Sequence, residues 1–169
     1  MTTERHRTAA RALVRSSDGR VLMIRGHDPA DPGRGGFWFT PGGGLDAGES
    51  VEAGLRRELS EEIGLQDASI GPLVLRRHDR FPLLGEIWLQ EETLHLVSVD
   101  TAFEPDGSGL EEIEASVITG FRWLSAGDLR GSPDPFYPRC LADLLDEIGE
   151  RGPPATPWSE DVTAPTDGE

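Results

Sequence analysis

The stretch that decides the fold of this chain runs from Gly43 to Leu65 and reads GGLDAGESVEAGLRRELSEEIGL. Within it, hydrophobic residues recur every four positions, at Val51, Leu55, Leu59 and Ile63. This spacing predicts a helix over residues 50–63 with one apolar side, and Gly64 is a residue type at which helices commonly end. The apolar side should pack against a core, which leaves the rest of the helix surface for polar residues.

Glu58, Glu61 and Glu62 share one edge of this helix. At about 100° per residue, Glu61 lies about 60° to one side of Glu58 and Glu62 about 40° to the other. Like charges at this spacing disfavour a helix by roughly a few tenths of a kcal/mol each. Arg57 can brace Glu61 but cannot neutralise three carboxylates, whereas a hard divalent cation such as Mg2+ or Mn2+ can. The alternative is a solvated acidic face that holds no ion.

Two glycine features adjoin these carboxylates. Gly54 lies in the middle of the helix, where glycine costs about 1 kcal/mol relative to alanine. Room for a ligand is one explanation, and close packing is the other. The segment from Pro41 to Gly44 predicts a turn in which the backbone can approach closely and direct a carbonyl toward a metal.

The flanking sequence predicts a mixed sheet. Residues 8–15 and 20–25 read as a hairpin around the turn Asp18-Gly19, and residues 27–36 as a loop. Further elements follow from apolar and branched runs: strands at 68–78, 86–99 and 121–124, and helices at 125–129 and 138–148. An aromatic run stands at Phe37-Trp38-Phe39, in which alternation places at least one ring in the core. We expect Trp38 to lie in the core.

A chain of 169 residues suits a single domain. We assign the domain to residues 8–150, with a flexible N-terminus at 1–7. Residues 151–169 have a composition typical of disorder, rich in Pro, Gly, Asp and Glu. The competing possibility is that Trp158 docks on the domain.

Charge and residue usage exclude several function classes. Acidic residues outnumber basic ones by 31 to 16, and the net charge of -15 disfavours DNA, RNA and anionic membranes as partners. The sequence has no lysine, which excludes Schiff-base chemistry and a P-loop lysine. Cys140 is the only cysteine, so no intrachain disulfide forms. With neither an apolar leader nor a membrane-length apolar run, we expect a cytoplasmic protein without a membrane partner.

The pattern of the central stretch resembles a known family. Nine of its positions match the motif G-x5-E-x7-R-E-U-x-E-E-x-G-U, in which U is a bulky aliphatic residue: Gly43, Glu49, Arg57, Glu58, Leu59, Glu61, Glu62, Gly64 and Leu65. This motif is the Nudix box, and nine matches across 23 residues are far more specific than a lone glycine-rich loop. The looser resemblance to the Nudix hydrolase family extends over roughly residues 8–149.

The resemblance implies a fold, a reaction and a cofactor. The fold is an α+β architecture, an α/β/α sandwich with a mixed β-sheet. The reaction is hydrolysis of a phosphoanhydride bond in a nucleoside diphosphate linked to another moiety, such as a free nucleotide, a nucleotide sugar or ADP-ribose. The implied cofactor is Mg2+, with Mn2+ as the alternative, and the partner is this small nucleotide. A homodimer is left open.

The resemblance also implies roles for individual residues. Glu58, Glu61 and Glu62 are expected to bind metal and supply the base, with the carbonyl of Gly42 as a further metal ligand. Arg57 is expected to act with Glu58 and Glu61 in catalysis.

Residues around that set complete the expected metal site. Glu49 is expected to brace it from outside. Nudix enzymes often add a glutamate from a later loop, and Glu114, nine residues before Trp123, is the first candidate. Glu112 is the second. The alternative is that both are solvated acidic residues.

The residues that would select the substrate are less well marked by sequence. Arg25 flanks the loop at 27–36, and Arg76, His78 and Arg80 could share one strand face and hold phosphate oxygens. The alternative is that these cations only balance nearby acids.

Three functions are compatible with the sequence. The first is a pyrophosphohydrolase of free nucleotides or nucleotide sugars, the second a nucleotide-binding sensor without turnover, and the third a hydrolase of capped RNA. The complete glutamate set argues against the second, and the net charge of -15 argues against the third.

Overall fold

The computed structural model of the protein describes residues 3–163, and this range forms nine strands and four α-helices. The strands are β1 (Glu4–Ser16), β2 (Val21–Gly26), β3 (Phe37–Phe39), β4 (Gly42–Gly44), β5 (Leu73–Leu83), β6 (Glu86–Val99), β7 (Ile118–Leu124), β8 (Phe136–Tyr137) and β9 (Trp158–Val162). The helices are α1 (Val51–Ile63), α2 (Glu112–Val117), α3 (Ala126–Arg130) and α4 (Leu141–Arg151). None of the helices in this range is long and apolar enough to cross a membrane.

The strands form one mixed sheet around β1, as the sequence predicted. Strand β1 runs parallel to β6 and antiparallel to β2 and β4. On one side β2 pairs antiparallel with β3 and β7, and on the other β6 pairs antiparallel with β5. The sheet is completed by two parallel additions, β8 beside β3 and β9 beside β5.

Helices cover both faces of this sheet, which confirms the α/β/α sandwich. Along β1, Leu13 belongs to the core cluster that contains α4, whereas its neighbours Ala12 and Val14 belong to the cluster that contains α1. This alternation follows from the period of two in a strand. Trp38 is buried in the α4 cluster, as expected.

Several element boundaries differ from those expected, and two of them lie in β4 and β5. The segment 42–44, predicted as part of a turn, is a short strand paired with β1. Gly42 has φ 130°, and a Cβ there would lie 2.6 Å from the Cα of Arg11, so only glycine fits this close approach. Strand β5 starts at Leu73 rather than at residue 68 and continues to Leu83, because the hairpin turn lies at Leu84-Gly85.

The predicted disorder after residue 150 is wrong for the described part of the tail. Helix α4 continues to Arg151, and β9 pairs in register with β5 from Trp158 to Val162. Trp158 packs against the α4 core cluster, and the Glu160 carboxylate binds the buried Arg77. Residues 164–169 lie outside the described range. At the other end, β1 begins at Glu4 instead of residue 8.

Candidate active site

Helix α1 carries the central glutamates, and its two ends are defined by local contacts. The Ser50 Oγ accepts a hydrogen bond from the Ala53 N–H at 3.2 Å, and Gly64 ends the helix in the left-handed conformation with φ 72°. The apolar side is buried against the sheet, with Leu55 and Leu59 fully inaccessible. Glutamates adjacent to that side are consequently drawn toward the interior.

Three carboxylates meet at this interior edge. Oxygens of Glu58, Glu62 and Glu114 lie within 4.8 Å of one another. Glu58 and Glu62 are buried, and Glu114 is half-buried, reaching the cluster from α2. Glu112, the second candidate, is exposed. Glu61 is outside the three-oxygen set, and its closest cationic atom is Arg57 Nη1 at 3.4 Å.

Burial disfavours the ionised form of the carboxylates in this cluster. Desolvation raises the pKa of Glu62 to about 8, although the Arg11 charge and the Gly42 N–H oppose that rise. Desolvation also raises the pKa of Glu58 and of Glu114. Repulsion from Glu61 adds to the rise at Glu58, and repulsion from Glu58 adds to the rise at Glu114. The cluster therefore requires either protons or a cation, and a set of three carboxylate oxygens fits the preferences of Mg2+ and Mn2+.

Arg57 braces the cluster from the solvent side. Its Nε and Nη2 donate to the two oxygens of Glu49 at 2.8 and 2.9 Å, a bidentate pair. Its Nη1 donates to Glu58 Oε1 at 3.1 Å. The hydrogen bonds from Arg57 hold the pKa of Glu49 down at about 2. Arg57 thus orients Glu58 while it stays anchored to the loop that precedes α1.

The packing around Gly54 explains why a glycine lies inside this helix. A Cβ at this position would be 2.8 Å from Glu49 Oε1 and would also overlap the Leu45 side chain. Close packing, rather than space for a ligand, is therefore the reason. Because Glu49 binds Arg57, Gly54 indirectly keeps the brace in position.

We expect Gly54→Ala to destabilise the protein and to lower turnover, because the added methyl group displaces Glu49. Gly149→Ala in α4 is the matched control, since its Cβ would meet only a flexible Arg15 nitrogen at 3.7 Å. That control should gain about 1 kcal/mol from helix propensity. Melting temperature and kcat of both variants check the prediction, and equal stabilisation of the two would contradict it.

The strand before α1 holds Glu62 through its backbone. The Gly42 N–H donates to Glu62 Oε1 at 2.9 Å. The Gly42 carbonyl, predicted from the resemblance as a metal ligand, accepts from Arg11 Nη1 at 3.2 Å in this structure. At Gly43 a Cβ would lie 2.8 Å from the Glu58 carboxyl group, so this glycine leaves space for that carboxylate.

A cavity of about 240 Å³ lies on the other side of Arg11 from the cluster. Arg11 lines this cavity and donates to the carbonyl of Gly42, the residue whose N–H binds Glu62. The cavity lining includes six arginines and four aromatic rings: Arg7, Arg11, Arg34, Arg77, Arg80, Arg139, Phe37, Phe39, Phe81 and Tyr137. Arg11 stacks over the Phe39 ring at 5.6 Å. Burial and the neighbouring Arg11 charge lower the pKa of Arg7 to about 10.

Polar contacts hold these arginines in place along β1 and β6. Arg7 Nε donates to Gln90 Oε1 at 2.5 Å, and Arg11 Nε donates to Glu92 Oε2 at 3.0 Å. Gln90 in turn donates to Glu92, which closes the network. The two guanidinium groups are therefore oriented in the absence of any ligand contact.

The three predicted substrate-binding residues do not line this cavity. Arg25 pairs with Asp134 at 2.9 Å beside a separate open groove. Arg76 and His78 lie on the exposed face of β5, and His78 Nε2 is 4.0 Å from Glu91 Oε1. Strand alternation gives the physical reason, because the intervening Arg77 is the residue that faces inward.

Sequence reasoning missed Arg7, Arg11 and Arg77 as cavity residues. A signal was present in β1, where Arg7, Ala9, Arg11 and Leu13 alternate on one face and Leu13 is a core residue. An arginine at this spacing, two or six residues before a core leucine, faces the interior. Arg77 lies two residues after the core residue Leu75, but the adjacent Val74 is also apolar and buried, so alternation in the sequence did not decide which face of β5 points inward.

The chain is similar to proteins of one known family. The family model described as NUDIX domain matches residues 5–144. A "Putative 8-oxo-dGTP diphosphatase 2" of Mycobacterium tuberculosis is 40% identical over 142 residues, which are 78% of this chain and 95% of that protein. An "RNA pyrophosphohydrolase" of Novosphingobium aromaticivorans is 25% identical over 151 residues, 85% of this chain and 92% of the relative. The crystal structure of a MutT NUDIX hydrolase from Burkholderia pseudomallei matches with a TM-score of 0.54 and 26% identity, covering 85% and 98% of the two chains.

Proposed function

This chain belongs to the Nudix family of hydrolases, and on that premise we propose that it hydrolyses a phosphoanhydride bond in a nucleoside diphosphate linked to another moiety, with Mg2+ or Mn2+ as cofactor. The main support for the proposal is that carboxylate oxygens of Glu58, Glu62 and Glu114 lie within 4.8 Å of one another. A cavity lined by arginines lies beside them. Clustered carboxylates and nearby guanidinium groups are the two components that phosphoryl transfer needs.

The three clustered glutamates would hold the metal. When bound, a divalent ion neutralises charge on the phosphates and lowers the pKa of a water molecule. The protein supplies the positioning: Arg57 orients Glu58, and the Gly42 N–H orients Glu62. Glu61 lies outside the three-oxygen set, which leaves its carboxylate available to accept a proton from the attacking water.

The cavity would hold the nucleoside end of the substrate. Its volume of about 240 Å³ is below the roughly 300–1,000 Å³ of drug-sized sites and suits one planar base. The rings of Phe37 and Phe39 offer apolar contact, and Arg7 and Arg11 offer donors for phosphate oxygens on the side of the glutamates.

Similarity to the 8-oxo-dGTP diphosphatase, the more similar of the two relatives, supports a nucleoside triphosphate as substrate. The similarity to an RNA pyrophosphohydrolase supports an RNA substrate, but the net charge of -15 opposes a long polyanion. The intact glutamates argue against a sensor that lacks turnover. We further propose that the enzyme works in the cytoplasm on free nucleotides, without DNA or membrane partners.

A substrate panel tests this proposal. Purified protein with Mg2+ is assayed against nucleoside triphosphates, 8-oxo-dGTP, ADP-ribose, nucleotide sugars, dinucleoside polyphosphates and a short 5′-triphosphorylated RNA. Released phosphate and pyrophosphate and the nucleotide products are quantified by chromatography. We expect a free nucleotide to give the highest kcat/KM. Hydrolysis of none of these compounds would refute the proposed function, and preference for the RNA would replace the substrate class.

The role of Glu114 is tested separately. Glu114→Gln should lower kcat by about tenfold or more, because a charge in the metal cluster is lost. Glu112→Gln, two residues away on the exposed side of the same helix, is the control and should change kcat little. Titration of the Mg2+ requirement should show weaker activation only in the first variant. Equal, small effects in both would show that α2 takes no part.

A further inference from the structure

Glu160 in β9 connects three parts of the fold, although it lies outside the residues 5–144 that match the family model. Its Oε2 accepts from Arg77 Nε at 2.5 Å and from the Arg139 N–H at 3.3 Å. Its Oε1 accepts from the Cys140 N–H at 2.9 Å. A tail residue therefore fixes a side chain of β5 against the start of α4.

Arg77 is buried among these groups yet retains an unused donor. The residue is 3% exposed, and its Nη1 donates to Asp79 Oδ2 at 2.6 Å. Within residues 3–163, Arg77 Nη2 has no hydrogen-bond partner. The Tyr137 ring lies 5.7 Å from the guanidinium carbon, and a ring face is a much weaker acceptor than an oxygen atom. A buried donor in a native protein normally has a partner, so a missing acceptor has to be explained.

The local charge indicates what kind of acceptor fits. Asp79 and Glu160 both bind Arg77, so two carboxylates face one guanidinium group. This surplus of negative charge disfavours a phosphate oxygen at Arg77 and leaves a neutral acceptor as the better match.

The cavity supplies the route by which such an acceptor reaches Arg77. Arg77 of β5 and Val162 of β9 line the same cavity as Arg7 and Arg11. The positive charges of Arg7 and Arg11 attract the buried glutamate Glu62. Phosphates held toward the glutamates would leave the other end of a nucleotide, its base, near Arg77. Among the neutral exocyclic groups of the bases, a carbonyl oxygen accepts a hydrogen bond, whereas an amino group would set a donor against a donor.

We propose that Arg77 is a specificity-determining residue that donates a hydrogen bond from Nη2 to a carbonyl oxygen of the substrate base, and that Glu160 of β9 is the positioning residue that holds it. The proposal rests on the proposed function only in taking the ligand to be a nucleotide. A site arranged to hydrogen-bond one group rejects analogues that lack it far more strongly than an apolar pocket does.

Nucleotide pairs that differ by a carbonyl group test this directly. The pairs are ITP with ATP, UTP with CTP, and 8-oxo-dGTP with dGTP, each assayed for kcat/KM with Mg2+. In at least one pair, the wild-type protein should prefer the member with the additional carbonyl group (ITP, UTP or 8-oxo-dGTP) by tenfold or more in kcat/KM. Arg77→Lys keeps the charge facing Asp79 and Glu160 but lacks the Nη2 group of the planar guanidinium, so the preference should fall to about one.

Two further variants separate recognition from folding. Glu160→Gln should reduce the preference mainly by raising KM for the member of each pair that has the additional carbonyl, rather than by lowering its kcat. Arg151→Met removes an exposed arginine of α4 and should leave the preference unchanged. Melting temperatures identify any variant that fails to fold. A preference retained in Arg77→Lys, or the absence of a preference in all three pairs, would overturn the proposal.

Binding measurements keep this result distinct from the proposed function. Dissociation constants for the same pairs are measured by calorimetry on Glu62→Gln protein, in which turnover should be too slow to interfere. If the wild type hydrolyses none of the nucleotides but the carbonyl preference appears in binding and depends on Arg77, the recognition proposal stands and the hydrolysis proposal fails. If hydrolysis occurs and neither assay shows the preference, the hydrolysis proposal stands and the recognition proposal fails.

Discussion

Glu62→Gln should lower kcat by about a hundredfold or more while the protein remains folded. The glutamine oxygen can still accept the hydrogen bond from the Gly42 N–H, so the local geometry is preserved. The substitution removes one of the three clustered charges and with it a metal ligand. The measurement is kcat at saturating nucleotide and Mg2+, together with the circular dichroism spectrum.

The same variant should be more stable than wild type without metal, in a pH-dependent way. Burial raises the pKa of Glu62 from 4.5 to about 8, so the folded protein keeps the proton while the unfolded chain releases it. The stability associated with that proton is present below about pH 4.5 and is lost as pH rises toward 8. Glu62→Gln should therefore raise the melting temperature by several degrees at pH 8.5 and by little at pH 5.

A glutamate-to-glutamine change at an exposed position of the same helix is the control for both results. Glu52→Gln changes an exposed glutamate whose partner is the surface residue Arg56. Such pairs contribute little, so this variant should match wild type in kcat and in melting temperature at both pH values. Undiminished turnover in Glu62→Gln, or an equal loss in the control, would remove Glu62 from the site.

Ending the chain after Gly152 should lower the melting temperature by on the order of 10 °C and reduce kcat/KM. The truncation removes β9 from the edge of β5 and exposes the core surface beneath Trp158. It also leaves Arg77 buried with Asp79 as its remaining carboxylate partner, and loss of one partner from a buried ion pair costs about 3–5 kcal/mol.

A second truncation, after Thr163, keeps every residue of β9 and serves as the control. Trp158→Ala in the full chain tests the packing contribution alone and should produce a smaller loss of stability. Thermal unfolding and steady-state kinetics are measured for all three proteins. A melting temperature unchanged after removal of residues 153–169 would show that β9 does not contribute to the fold.

Helix α1 was predictable because its determinants are local. The apolar spacing, the Ser50 cap and Gly64 are all contained within one short segment, and the box motif adds specific positions. The position of Glu114 was also predictable from the sequence. Glu114 lies three residues before the buried Val117, so both side chains face the interior from α2, whereas the side chain of Glu112 is exposed.

The order in the tail and the inward face of β5 depend on contacts that no local pattern reveals. Arg77 and Glu160 are 83 positions apart, and each is unfavourable to bury without the other. Composition alone therefore predicted disorder for the tail. Because the sequence does not reveal that partner, its pattern placed Arg76 and His78 at the substrate and gave Arg77 no role.

The most direct test of the account is the initial rate of hydrolysis of the preferred nucleotide by metal-stripped protein, measured while Mg2+ is titrated in. Metal-stripped protein should be inactive, and activity should rise to a plateau with Mg2+ in wild type but remain at least about a hundredfold lower in Glu62→Gln at every concentration. Full activity of metal-stripped protein in the presence of a chelator, or the same plateau in both proteins, would contradict metal-dependent hydrolysis at the cluster of Glu58, Glu62 and Glu114.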